Sequence, residues 1–163
     1  YLIRGSYWAT SMNHIVLRYA DVLLMRAEAL IQSNNNIAGA VELINEVRNR
    51  AANSLSQIQN YGKDFKATMK CAPYASTTNK EEALNMLQWE HRLEFALEGS
   101  RFCDLVRWGE AEKVLNSYFA SEASKCAIYA KAKFNKNKNE YLPIPFNQIS
   151  ASNGLYKQNI NWN

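Results

Sequence analysis

The sequence holds little that would break or staple a chain. Six Gly and three Pro in 163 residues exclude collagen and Gly/Pro-rich stalks, and a composition 47% hydrophobic and 21% charged excludes intrinsic disorder. The three cysteines, Cys71, Cys103 and Cys126, contain no C-x-x-C pair, which argues against a zinc site or a thioredoxin-type dithiol. Cys103 lies in an apolar helical pattern and is expected as a buried small hydrophobe. Cys71 and Cys126 fall in expected loops, where an oxidising compartment would let them pair. No run of about 18 apolar residues occurs, so no bilayer-spanning helix is expected. The chain opens on Tyr1 without the basic and apolar regions of a signal peptide, and the start reads as processed, truncated or renumbered.

Charge of one sign is scarce too. Nineteen Lys+Arg against fifteen Asp+Glu leave a net +4, and acids and bases interleave everywhere except Lys125 to Lys138. That stretch alternates Lys with Asn beside Tyr129 and Phe134. A nucleic-acid platform needs stacking aromatics on a rigid, basic surface, so a solvated loop is the expectation here. The only histidines, His14 and His91, lack metal-ligand spacing to Cys or to one another, and no Gly-rich phosphate loop, dinucleotide fingerprint or nucleophile elbow is present. No cofactor and no metal are expected.

What is there is helical periodicity. Ala20, Leu23, Leu24, Ala27 and Ile31 recur on one helical face, and after the polar break Ser33-Asn34-Asn35-Asn36 the residues Ile37, Ala40, Val41, Ile44, Val47 and Ala51 repeat the period. The spacing predicts a helical hairpin over about 16–52, whose small residues suit one unit of a tetratricopeptide-like fold. Periodicity disappears over about 53–79, and a loop so long inside a compact domain is usually functional or mobile. A second hairpin is expected over about 80–119: one helix with two apolar stripes, Leu84, Leu87 and Phe95 beside Met86, Trp89, Leu93 and Leu97, then a stop at Gly99, then one helix from Arg101 to about Phe119. Over about 120–163 a short helix near Ala127 is expected, then an extended path through Pro143 and Pro145, wrapped on the helices through Leu142, Ile144, Ile149 and Leu155. The fold class expected is all-α.

Glu90, Arg92, Glu94, Glu98, Arg101, Asp104 and Arg107 stand close together around the Gly99 turn. Glu94 and Glu98 could be read as a carboxylate pair for glycoside hydrolysis. Such pairs flank a substrate cleft at roughly 5 to 9 Å, whereas adjacent turns of a packed helix leave no room for a sugar. Salt bridging is the expected role. Among the aromatic residues, Tyr1, Tyr7 and Trp8 before the first helix and Tyr61, Phe65 and Tyr74 in the long loop are not claimed by the helical stripes. With nearby amides, flat rings suit sugars, which show apolar C–H faces and hydroxyl edges. The alternative is that they pin the loops to the helices.

Several segments occur together in one order: Arg18-Tyr19-Ala20-Asp21-Val22-Leu23-Leu24-Met25 with Ala27-Glu28-Ala29; Ile44-Asn45-Glu46-Val47-Arg48-Asn49-Arg50-Ala51; Glu90-His91-Arg92-Leu93-Glu94-Phe95; Glu98-Gly99-Ser100-Arg101-Phe102; Asp104-Leu105-Val106-Arg107-Trp108-Gly109; and Leu142-Pro143-Ile144-Pro145. In that order they resemble the C-terminal part of SusD/RagB nutrient-binding outer-membrane lipoproteins. His91 stands where that family commonly has Arg, Cys103 where an aromatic is frequent, and the closing Gln158-Asn159-Ile160-Asn161-Trp162 departs from its usual Gln-Asn-Pro-Gly-Tyr.

The resemblance implies an α-helical, tetratricopeptide-like scaffold and a non-catalytic function: binding an oligosaccharide, or in some members a peptide, at the bacterial cell surface and handing it to a TonB-dependent outer-membrane transporter of the SusC-like type. It implies that 1–163 is the C-terminal helical region of a larger SusD-like protein, partnered by the N-terminal part of the same protein. The lipid anchor and the main ligand site are then expected upstream of Tyr1. Within this chain, Tyr61 and Tyr74 are the expected ligand contacts. The rival is a tetratricopeptide-type protein-interaction module without glycan binding.

Overall fold

The computed structural model describes residues 2–3, 9–10, 15–54 and 70–162. It is all-α apart from one two-residue antiparallel ladder, β1 (Leu2–Ile3) on β2 (Ala9–Thr10). Among the described residues no helix is long and apolar enough to cross a membrane. The chain divides into two compact units, Tyr1–Ala96 and Leu97–Asn163, each with its own core.

The first unit is built on α1 (Tyr19–Gln32), α2 (Ile37–Ala52) and α3 (Lys80–Glu94). Helix α1 starts where Asp21 folds back to accept the Arg18 backbone N–H at 2.9 Å. It ends in a left-handed Asn34 (φ 55°), with Asn34 N–H on Ile31 O and Asn35 N–H on Leu30 O. That pattern satisfies the last carbonyls of a helix without a glycine. Asn36, also left-handed, caps α2 by accepting from Gly39 N–H at 3.1 Å. The asparagine run that breaks the periodicity is thus a matched stop and start signal. Asn79 opens α3 by accepting from the N–H groups of Glu81 and Glu82, whose acidic side chains also suit the positive end of the helix dipole.

The core of this unit is Ala20, Leu23, Leu24, Ala27 and Ile31 from α1, Ile37, Ala40, Val41, Ile44 and Val47 from α2, and Ala83, Leu87 and Phe95. Ala27 and Ala40 are fully buried, as close helix approach requires. Helix α3 departs from the expectation of two buried stripes. Leu84 and Met86 pack partly on the core, but Trp89 and Leu93 are exposed, because α1 and α2 cover a single side of α3.

The second unit contains α4 (Arg101–Arg107), α5 (Ala111–Glu122), α6 (Ala127–Lys131) and α7 (Phe146–Ala151). The single helix expected from Arg101 to Phe119 is split. Gly109 is left-handed (φ 73°), with Gly109 N–H on Val106 O and Glu110 N–H on Leu105 O, a complete helix stop. Leu105, Ala111 and Phe134 form the core, with Val106, Val114, Leu115 and Phe119 packed on it. Cys103 is exposed rather than buried. Helix α4 has only seven residues and buries the side carrying Asp104 and Leu105, and position 103 falls off it. All three cysteines are free thiols.

The tail also differs from expectation. Leu142 and Leu155 are 86% and 84% exposed and anchor nothing. Side-chain amides and an indole hold the tail instead: Ile144 N–H donates to Gln158 Oε1 at 2.8 Å and Gln158 Nε2 to Ile144 O at 2.9 Å, while Asn161 Nδ2 and Trp162 Nε1 donate to the carbonyls of Asn137 and Lys138. Lys125, Lys131, Lys133 and Lys136 are exposed, as a solvated loop predicts, whereas Lys138 lies 4.9 Å over the Trp162 ring.

Candidate functional site

The charged residues of α3 point to neighbours rather than to a cleft. Glu90, 2% exposed, receives Arg48 Nη1 at 2.9 Å. Burial pushes the Glu90 carboxyl above its ordinary range, against the lowering effect of Arg48. The Glu94 carboxylate is held by Arg18 and by Arg50, whose Nη2 lies 2.6 Å from both of its oxygens. Glu98 is exposed, and Asp104 accepts from Arg107 Nε at 2.9 Å. The Glu90 and Glu94 carboxylates, paired with guanidiniums from other segments of the first unit, act as struts, and buried pairs such as Arg48–Glu90 specify geometry more than they add stability.

Of the two expected ligand contacts, Tyr61 lies outside the described residues, as do Tyr1, Tyr7, Trp8, His14 and Phe65. Tyr74 sits in the stretch that leads into α3, fastened to α2. Its N–H donates to Asn45 Oδ1 at 2.7 Å and its carbonyl accepts from Asn45 Nδ2 at 2.9 Å. The Arg48 guanidinium lies 4.3 Å over its ring, and burial raises its hydroxyl above the ordinary value. Arg48 also donates from Nε to Ala72 O at 2.5 Å, and Cys71 Sγ donates to Arg48 O. The strap Cys71–Tyr74 is thus tied to α2 at three residues. Asn45 and Arg48 were visible in the sequence only as members of a motif. Their spacing of three on a helix places both on the side that meets the strap.

At the start of α1 and the end of α2 lies an open cavity of ≈350 Å³. Its floor includes Ala20, Leu23 and Val47, and its rim includes Tyr19, Glu46 and Arg50, with Arg18 beside them. Among the described residues no group of three or more His, Cys, Asp or Glu could hold a metal ion.

A profile of the SusD family matches residues 2–162. The chain belongs to the SusD family. Two SusD-like proteins of Formosa agariphila are similar to it: P2, 26% identical over 92% of this chain, and P38, 36% identical over 63%. The SusD-family chain spans 26% of the length of P2 and 18% of P38 in these matches, so it corresponds to about a quarter or less of either relative. The motifs that carry the family resemblance are the ones the fold uses as scaffold. Arg18, Arg48, Arg50, Glu90 and Glu94 make the ion pairs between helices, and Gly109 ends α4.

Proposed function

We propose that this chain serves as the C-terminal helical region of a non-catalytic glycan-binding lipoprotein of the bacterial outer membrane, one that delivers oligosaccharide to a SusC-like, TonB-dependent transporter. The observation that carries the reading is the family match over residues 2–162. The ion-paired state of Glu90 and Glu94 supports a scaffold role for these carboxylates over acid–base chemistry. In this reading Tyr61 and Tyr74 contact ligand. The Tyr74 ring lies under Arg48 and packs partly against the first core, so a sugar would meet it only through its remaining exposed part.

Calorimetry of the full-length protein against a panel of polysaccharides and peptides tests the proposal. The expected result is saturable binding of a polysaccharide without turnover. Turnover without binding at equilibrium sinks it, and binding of peptides alone transfers the reading to the interaction-module class. Tyr61→Ala and Tyr74→Ala are each expected to weaken polysaccharide binding, measured well below the melting temperature of each variant. Unchanged affinity in both removes these residues from the site.

A further inference from the structure

We propose that the cavity between the start of α1 and the end of α2 is a sugar subsite shaped for one uncharged pyranose ring. The choice of a sugar over another small polar molecule rests on the glycan-binding reading above; the existence of the site rests on its geometry. Its volume of ≈350 Å³ lies at the small end of ligand cavities, which run from about 300 to 1,000 Å³, and it suits a single ring rather than a chain. Ala20, Leu23 and Val47 give it an apolar floor fixed by the core, each less than one-tenth exposed.

The rim supplies what hydroxyls need. Arg50 pairs with Glu94 through Nη2 alone, and its Nε and Nη1 have no protein acceptor among the described residues. Glu46, exposed on α2, has no protein donor among them. A donor and an open acceptor stand beside Tyr19, a residue 69% exposed. A pyranose offers the matching surface: hydroxyls that donate and accept at its edge and C–H bonds on its face, for which aromatic rings provide area at little entropic cost. The charge balance selects for neutrality, since the guanidiniums of Arg18 and Arg50 are offset by the carboxylates of Glu94 and Glu46. Among the described residues, an anionic sugar finds no excess of positive charge at this cavity.

The test uses the full-length protein labelled at Leu and Val methyls, titrated separately with D-glucose, D-galactose, D-mannose and D-xylose. The Leu23 and Val47 methyl signals should shift saturably with at least one of the four. Tyr19→Ala and Glu46→Gln, both at exposed positions, should each weaken that response by about tenfold while the remaining methyl spectrum stays in place. No shift with any of the four sugars overturns the proposal. So does contact between these methyls and another segment of the same polypeptide in the sugar-free protein. Binding of a polysaccharide with Leu23 and Val47 unmoved refutes the subsite alone. Sugar-dependent shifts without any polysaccharide binding support the subsite and refute the import reading.

Discussion

The Asn45 side chain grips the backbone of Tyr74 on both sides, accepting its N–H at 2.7 Å and donating to its carbonyl at 2.9 Å. One amide thereby does what a neighbouring strand would do, satisfying both polar groups of a residue that belongs to no sheet. The second unit uses the device twice more, with Asn116 on Phe134 and Gln158 on Ile144. Segments without periodicity are held in place by amides as well as by apolar burial, Phe134 being part of the second core.

Asn45→Ala should therefore cost about 1–3 kcal/mol, the penalty for leaving partly buried backbone groups without partners, read by urea denaturation. Hydrogen exchange at the Tyr74 amide should accelerate. Asn45→Asp, which keeps the acceptor and loses the donor, should fall between the two. An unchanged Tyr74 exchange rate in Asn45→Ala would show that the clamp does not hold the strap.

Arg48→Met strands the Glu90 carboxylate in the core and removes the cation over Tyr74. A loss of about 3–5 kcal/mol is expected, whereas Arg48→Met with Glu90→Leu should be less destabilised than Arg48→Met alone, because no unpaired charge then remains buried. Additive losses in a double-mutant cycle would argue that the two side chains act independently.

The raised carboxyl of Glu90 fixes the sign of a pH effect. Its folded-state value lies above the ordinary 4.5, so folding favours the protonated form. The stability this contributes is fully present below about 4.5 and is lost as pH rises through the folded-state value. Unfolding free energies measured across that window should show a downward component that Glu90→Gln removes. If the variant keeps the wild-type slope, Glu90 is not its source.

Gly109→Ala should lower the melting temperature although nothing lies within 4 Å of a Cβ at that position. The cost, about 1–2 kcal/mol, comes from the left-handed backbone (φ 73°) that the stop between α4 and α5 requires. An unchanged melting temperature would mean that the turn relaxes to a different stop.

Much of the first unit was legible because its signals are local. The five apolar positions read on α1 are its five buried residues, and five of the six read on α2 are buried there. The Gly109 stop was missed because Leu105, Trp108, Ala111 and Leu115 keep helical spacing straight through it, and periodicity does not register a break that preserves phase. The apolar helical pattern around Cys103 and the hydrophobicity of Leu142 and Leu155 point to the interior. All three residues are exposed because short helices and amide-held loops bury only part of their apolar residues. Asn45 carried no signal for its task, since nothing nearby in the sequence marks the backbone it grips 29 residues away.

The sequence by itself determined the helices of the first unit, their asparagine caps and, through ordered motifs, the family. These depend on contacts a few residues apart, where spacing dictates which side chains can meet. The tertiary structure alone decided that Arg48 meets Glu90 and Tyr74, that Arg18 and Arg50 converge on Glu94, and that a cavity remains between the start of α1 and the end of α2. Those partners lie tens of residues apart, and only the path of the folded chain brings them within hydrogen-bonding distance.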